Sequence, residues 1–281
     1  MEVKALKFGG LTAKRPIVQG GMGVGVSLSS LAGNVAKCGG VGTISGVHPG
    51  YREADFKENP FRANLRAIGN ELEKAKEIAN GGIIGFNFMT VMNHYEEYVK
   101  EAIAAGADFI VSGAGLPVNL AKYAAGTRAA ILPIVSSARA LKLIVKQWQR
   151  ADRLPDAVVV EGPLAGGHLG YPYGHLVDGT FDTLEDSLVD VVDYVRELEE
   201  KNGVKIPVIA GGGVRNHADM ERLMALGASG VQVGTKFVAT EECDAAPAFK
   251  QAYLRSRKED VQLIESPVGL AARAIRNSFL E

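Results

Sequence analysis

The feature that most constrains the fold is a rhythm. Eight short apolar runs, each stopping at glycine or a polar residue, alternate with stretches of helical periodicity; they cover 16–22, 40–45, 83–89, 109–113, 131–136, 157–161, 207–211 and 230–236. Their interiors are apolar without alternation, as parallel strands covered on both faces require. Eight such strands alternating with helices predict an α/β chain folded as a single (β/α)8 barrel over 1–281. At 281 residues the chain is long enough to bury a core of that size.

The intervening stretches support the same reading. Leu28, Leu31, Ala32, Val35 and Ala36 follow the i, i+3, i+4, i+7 spacing of one buried helix face, with Ser27 or Ser29 as the expected cap and Gly39 as the stop. A helix over 183–200 puts Leu184, Leu188, Val191, Val192, Val195 and Leu198 inward; Thr183 and Asp186 stand at capping-box spacing, and Gly203 ends it. Another starts at Asn216 and ends at Gly227. Two connections exceed what a bare barrel needs: 46–82, with a helix expected near 70–79 and a loop expected over the barrel mouth, and 171–181. The tail, 241–281, reads as a C-terminal helical extension.

Composition excludes several classes of function. A formal net charge of −1 with no block of one sign argues against nucleic acid or an anionic membrane as partner. No run of about 18 apolar residues offers a spanning helix, and the charged start, with Glu2, Lys4 and Lys7, is unlike a signal peptide. The two cysteines, Cys38 and Cys243, form no CxxC pair, so neither a zinc framework nor an oxidising compartment is indicated. The expectation is a cytoplasmic protein with a small-molecule substrate as its partner, a homodimer being admitted, and no metal. P-loop, HExxH and GxSxG motifs are all missing.

Chemistry concentrates at the strand ends. The sixth run leads into Glu161-Gly162-Pro163-Leu164-Ala165-Gly166-Gly167-His168-Leu169-Gly170, where a buried strand stops at glycines and then presents an imidazole. Of five histidines, His168 alone has this context; His48 and His175 are secondary candidates for the mouth, and His94 and His217 read as surface. Glu161 reads equally as a ligand-facing carboxylate or as an acceptor for loop backbone. Gly211, Gly212 and Gly213 after the seventh run, with Gly234 and Thr235 after the eighth, occupy the loops where a barrel binds phosphate on exposed N–H groups. Gly20, Gly21, Met22, Asn87 and Ser112 offer small or neutral polar groups that suit the face and edge of a broad planar ring, so a flavin fits better than a sugar phosphate. A phosphate-binding lyase or isomerase without flavin is the different class to be weighed against it.

The strings Pro16-Ile17-Val18-Gln19-Gly20-Gly21-Met22, Gly39-Gly40-Val41-Gly42, Gly85-Phe86-Asn87, Glu161 to Gly170, Ile206 to Gly213 and Gln232 to Phe237 together resemble the nitronate monooxygenase (2-nitropropane dioxygenase) family, which also contains the flavin-type enoyl-ACP reductases of bacteria. Gln19 to Met22 and Glu161 look more like the reductases; Gly23-Val24-Gly25-Val26-Ser27 looks more like the nitronate enzymes. The resemblance implies a TIM-barrel FMN oxidoreductase. Its phosphate would lie on the two loops named above, its ring over Gly20, Gly21 and Met22 with Asn87 at the edge, Gly166 and Gly167 would also contact the cofactor, and His168 would stand beside the substrate as the catalytic residue. A nitronate or nitroalkane oxidised with O2 is the implied reaction; the alternative is an enoyl-ACP reductase that takes its electrons from NADH or NADPH.

Overall fold

The structure, a computed structural model, describes residues 4–278 and 280. Eight parallel strands close a barrel: β1 (Ile17–Gln19), β2 (Val41–Ser45), β3 (Ile83–Met89), β4 (Phe109–Gly113), β5 (Ala130–Val135), β6 (Val158–Glu161), β7 (Val208–Gly211) and β8 (Gly230–Val233). Each pairs with its sequence neighbour, and β8 returns to β1 through Val231 opposite Ile17 and Gln232 opposite Val18. All eight expected strands are present, within one to three residues of their predicted ends. The barrel is therefore the (β/α)8 fold that the run pattern predicts.

Two hydrophobic layers hold it together. Val18, Val41, Ile83, Phe109, Val111, Leu132, Val159 and Ile209 fill the interior, and the alternate positions, such as Ile44, Phe86, Phe88, Ile110, Val158 and Val160, pack outward against helices. Both faces of the strands are thus buried and mostly apolar, with Gln19, Thr43, Ser45, Ser112 and Gln232 as buried polar exceptions, which explains the lack of alternation in the sequence. An antiparallel hairpin, Leu6–Phe8 with Leu11–Ala13, seals the lower end: Leu6, Phe8 and Ala13 join the inner core, and the Phe8 ring meets Phe109 edge-on at 6.0 Å.

Helix capping follows the sequence in some places and departs from it in others. Thr183 and Asp186 form the expected reciprocal capping box on the helix Leu184–Asn202, and Gly203 ends it in the left-handed region. For α1 (Ser29–Lys37) neither Ser27 nor Ser29 caps the helix. Ser27 Oγ instead accepts from Met22 N at 2.8 Å, and the first turn of α1 is capped by Asp244, whose carboxylate accepts from Leu28 N (2.8 Å), Ser30 N (3.2 Å) and Leu31 N (3.1 Å). A carboxylate so placed also meets the positive end of the helix dipole. Asp244→Ala should cost about 2 kcal/mol, the upper end of a lost cap, because three N–H groups lose their acceptor at once. Urea unfolding of the two proteins measures this.

The connection 46–82 is mostly helix. α2 (Pro60–Ala79) begins at an Asn-Pro signal, with Asn59 Oδ1 accepting from Arg62 N at 3.1 Å and Pro60 in the first turn. It starts ten residues before the predicted 70–79 segment and packs against α1 as an ordinary barrel helix. Only 46–59 remains as loop. The tail supplies the expected helix, Pro247–Arg255, and then an antiparallel hairpin, Val261–Glu265 with Ala271–Ile275, that the periodicity does not announce.

Candidate active site

Because the strands are parallel, all the glycine-rich strand ends emerge at one rim of the barrel. Inward positions alternate along each strand. Val159 belongs to the inner core, so Glu161 faces inward at the end of β6; Ile83 does, so Asn87 faces inward on β3. Gly20 and Gly211 stand over the Gln232 side chain, at 3.5 and 3.2 Å from the positions where their Cβ atoms would be. A side chain at Gly211 would press on that layer, and one at Gly20 would lie in contact with it.

The loops converge on it. A Cβ on Gly21 would run into the Asn87 side chain, so only glycine allows that close approach. Gly234 sits 3.4 Å, measured from the same virtual atom, from Met22 Sδ, and Gly166 3.7 Å from Thr235 Oγ1. Gly212 and Gly213 have φ of +99° and +83°, and Gly213 packs on Leu164. Gly162 N donates to Gly211 O at 2.9 Å and ties the two loops together. Gly20, Gly21, Met22, Asn87, Glu161, Gly166, Gly211, Gly212, Gly213, Gly234 and Thr235 are thus gathered at one rim.

Ser112 is not gathered with them, and its expected role in binding the ring is corrected. Phe109 and Val111 point inward, so Ser112 points outward with Ile110. Fully buried, its hydroxyl donates to Phe88 O at 2.8 Å and accepts from Tyr95 of α3 (Tyr95–Ala104) at 2.8 Å. Both bonds keep the hydroxyl within the wall.

His168 is held differently from a loop residue. Gly167–His168 form a short strand that pairs antiparallel with Ala271–Ile275, His168 opposite Ala272 and Gly167 opposite Arg273. Leu169 N donates to Ala271 O at 2.8 Å, and Ala165, Leu169, Leu176 and Ala271 pack beneath. His168 is the one partly buried histidine of five; His48, His94, His175 and His217 are exposed. Partial burial disfavours the cation and lowers the His168 pKa, so the ring is neutral at pH 7.

Glu161 carries the largest perturbation at the rim. Burial pushes its carboxyl up to about 7, and among the described residues no cation or donor offsets that burial. Its folded pKa lies above the ordinary 4.5, so the fold favours the protonated form. Between those two values the unfolded chain has ionised and the folded chain has not, and stability falls as pH rises. The wild type is expected to lose up to about 3 kcal/mol between pH 4.5 and 7, with Glu161→Gln losing far less over the same window. Chemical denaturation at several pH values gives the comparison.

Two residues at the rim carry no signal in the sequence. The Tyr171 hydroxyl reaches the Glu161 carbonyl at 3.4 Å, and Arg273 Nη2 donates to Pro163 O at 2.9 Å. The contact of Arg273 spans 110 residues of sequence, so only the docking of the tail hairpin reveals it.

Known proteins resemble this chain over nearly its whole length. Curated relatives include probable nitronate monooxygenases of Staphylococcus saprophyticus, 25% identical over 100% of this chain and 81% of that one, and of Bacillus subtilis, 25% identical over 95% and 78%. Among solved structures, FabK from Thermotoga maritima superposes with a TM-score of 0.74 at 26% identity, covering 95% of this chain and 73% of that one. Nitroalkane oxidase from Streptomyces ansochromogenes, at 23% identity and a TM-score of 0.68, covers 94% and 78% and shares the fold. The nitronate monooxygenase family model matches residues 4–281. With its barrel closed and its glycine loops and one shielded histidine gathered at a single rim, the chain belongs to the nitronate monooxygenase family of oxidoreductases.

Proposed function

We propose that this chain is an FMN-dependent oxidoreductase that oxidises a nitronate or nitroalkane with O2. The observation that carries the reading is a neutral, half-shielded His168 fixed by a β-ladder beside a rim lined by glycines that let the backbone approach closely. The residues present fit the flavin. Backbone N–H groups of the Gly211–Gly212–Gly213 turn and of Gly234 and Thr235 suit its phosphate; the surface of Gly20, Gly21 and Met22 suits one face of the ring, with the Asn87 amide at its edge. When bound, the flavin supplies the redox chemistry, taking electrons from the substrate carbon and passing them to O2.

The chain's own residues bind, orient and move protons. A neutral His168 imidazole can accept the proton from the carbon next to a nitro group, or donate a hydrogen bond to a nitro oxygen of the anion. Its position in a sheet of three strands, not in a free loop, limits its motion at that step.

A second reading is favoured by one specific observation. Gln19 to Met22 and Glu161, the strings that look more like the enoyl-ACP reductases, lie together at this rim, and FabK superposes at least as well as nitroalkane oxidase does. Anaerobic stopped-flow spectroscopy separates the two. Bleaching of the flavin band by a nitronate, with recolouring on O2, is the expected result. Bleaching by NADH or NADPH, with no response to nitronate, would replace the proposal by the reductase reading. A colourless protein that takes up no FMN would leave the flavin-free lyase or isomerase.

A further inference from the structure

Arg273 is a cation in a costly place. It lies at the centre of the strand Ala271–Ile275, with Leu263 opposite on one side and Gly167 on the other. The side chain is partly buried; among the described residues Nε is buried without a hydrogen-bond partner, and the side chain's one acceptor is the Pro163 carbonyl, 2.9 Å from Nη2. Among the described residues no carboxylate stands within 4.0 Å of it, although ion pairs of that length are made by nine other arginine and lysine residues, among them Arg153 and Lys76.

The physical expectation runs the other way. A guanidinium drawn this far from water usually meets a carboxylate, because a half-desolvated charge with unused donors is destabilising. A stem that only braced the loop would need one donor and no charge. Five donors in a fixed planar fork, one of them on the Pro163 carbonyl, fit an oxyanion held by the others.

Its position says where such an ion would lie. The residue opposite Arg273 is Gly167, and its guanidinium reaches back to Pro163, so it braces the 163–167 loop at both ends. Gly166 of that same loop faces Thr235, and Leu164 packs on Gly213. The charge and the two glycine-rich loops therefore border one stretch of backbone.

We propose that Arg273 is an oxyanion-recognition residue, binding a phosphate or a comparable oxyanion against the 163–167 loop. Two sources share that chemistry: the phosphate of the cofactor and an oxyanion of the substrate. The first source rests on the flavin reading above, and the second does not.

The test compares wild type, Arg273→Gln and Arg273→Lys as full-length chains, with FMN, riboflavin and inorganic phosphate as probes. If the ion is the cofactor's phosphate, Arg273→Gln raises the dissociation constant of FMN by about tenfold or more, leaves riboflavin unchanged, and Arg273→Lys falls between. If it belongs to the substrate, FMN binding holds, and the dissociation constant of inorganic phosphate, read from the flavin spectrum of the loaded protein or from melting of the flavin-free chain, rises by about tenfold. Unchanged binding of all three probes in a folded Arg273→Gln protein overturns the proposal and leaves Arg273 as a brace for the Pro163 carbonyl. Phenylglyoxal labelling of the wild type keeps the test independent of how the variants fold. FMN or phosphate, but not riboflavin, should protect Arg273, and labelling indifferent to all three overturns the proposal as well. A chain that binds neither flavin refutes the flavin reading, while its phosphate measurements still decide the role of Arg273.

Discussion

Replacement of His168 by alanine is expected to lower kcat/KM for a nitroalkane by about 10²–10⁴-fold, the usual worth of a positioned proton acceptor. FMN should remain bound with its affinity little changed. The short strand Gly167–His168 keeps its ladder to Ala271–Ile275 through backbone groups, which alanine preserves, and the backbone of the glycine loops is unchanged. Steady-state kinetics with a neutral nitroalkane and with its preformed nitronate sharpen the result. If the imidazole acts by accepting the carbon-bound proton, the anion, which has already lost it, should suffer much less than the neutral substrate. Equal turnover by mutant and wild type would remove His168 from the chemistry.

The second large effect is expected from a residue that touches no ligand. Ala272→Pro removes the N–H of the residue opposite His168 in the middle strand of a three-stranded sheet, where proline is least tolerated. The closed barrel does not depend on that strand, so its melting should stay close to that of the wild type. His168, however, loses its splint. A displacement of about 1 Å at a reacting group can cost about 10²-fold, and a loss of that order in kcat is the prediction. Ala272→Val, which keeps the N–H and the strand conformation, should retain most of the activity. Loss of activity together with collapse of the whole fold would show instead that the hairpin is part of the barrel's core.

The barrel was readable in the chain because its strands are buried on both faces. Runs such as 109–113 and 157–161 then show no alternation and are mostly apolar, ending at glycine or a polar residue where the loops begin. Burial on both faces is also why the reading of Ser112 failed. Where neither face is polar, the sequence does not say which residues turn inward, and the register of β4 sends this hydroxyl to Tyr95 and Phe88. The cap of α1 was invisible for another reason: Asp244 lies more than 200 residues from the N–H groups it accepts, whereas Ser27 and Ser29 only looked suitable by proximity. In the tail, Ala271-Ala272-Arg273-Ala274-Ile275 is rich in alanine, a residue of helical preference, and becomes a strand through pairing with Val261–Glu265 and with the histidine segment. Tertiary partners decided that element, and with it the placement of both His168 and Arg273.

The hairpin Leu6–Phe8 and Leu11–Ala13 has a consequence for traffic. With Phe8 against Phe109 and the interior packed by Val18, Val111 and Val159, the barrel axis is filled by side chains from the hairpin upward. A ligand at the strand ends is therefore approached from the side of the βα loops and not along the barrel axis.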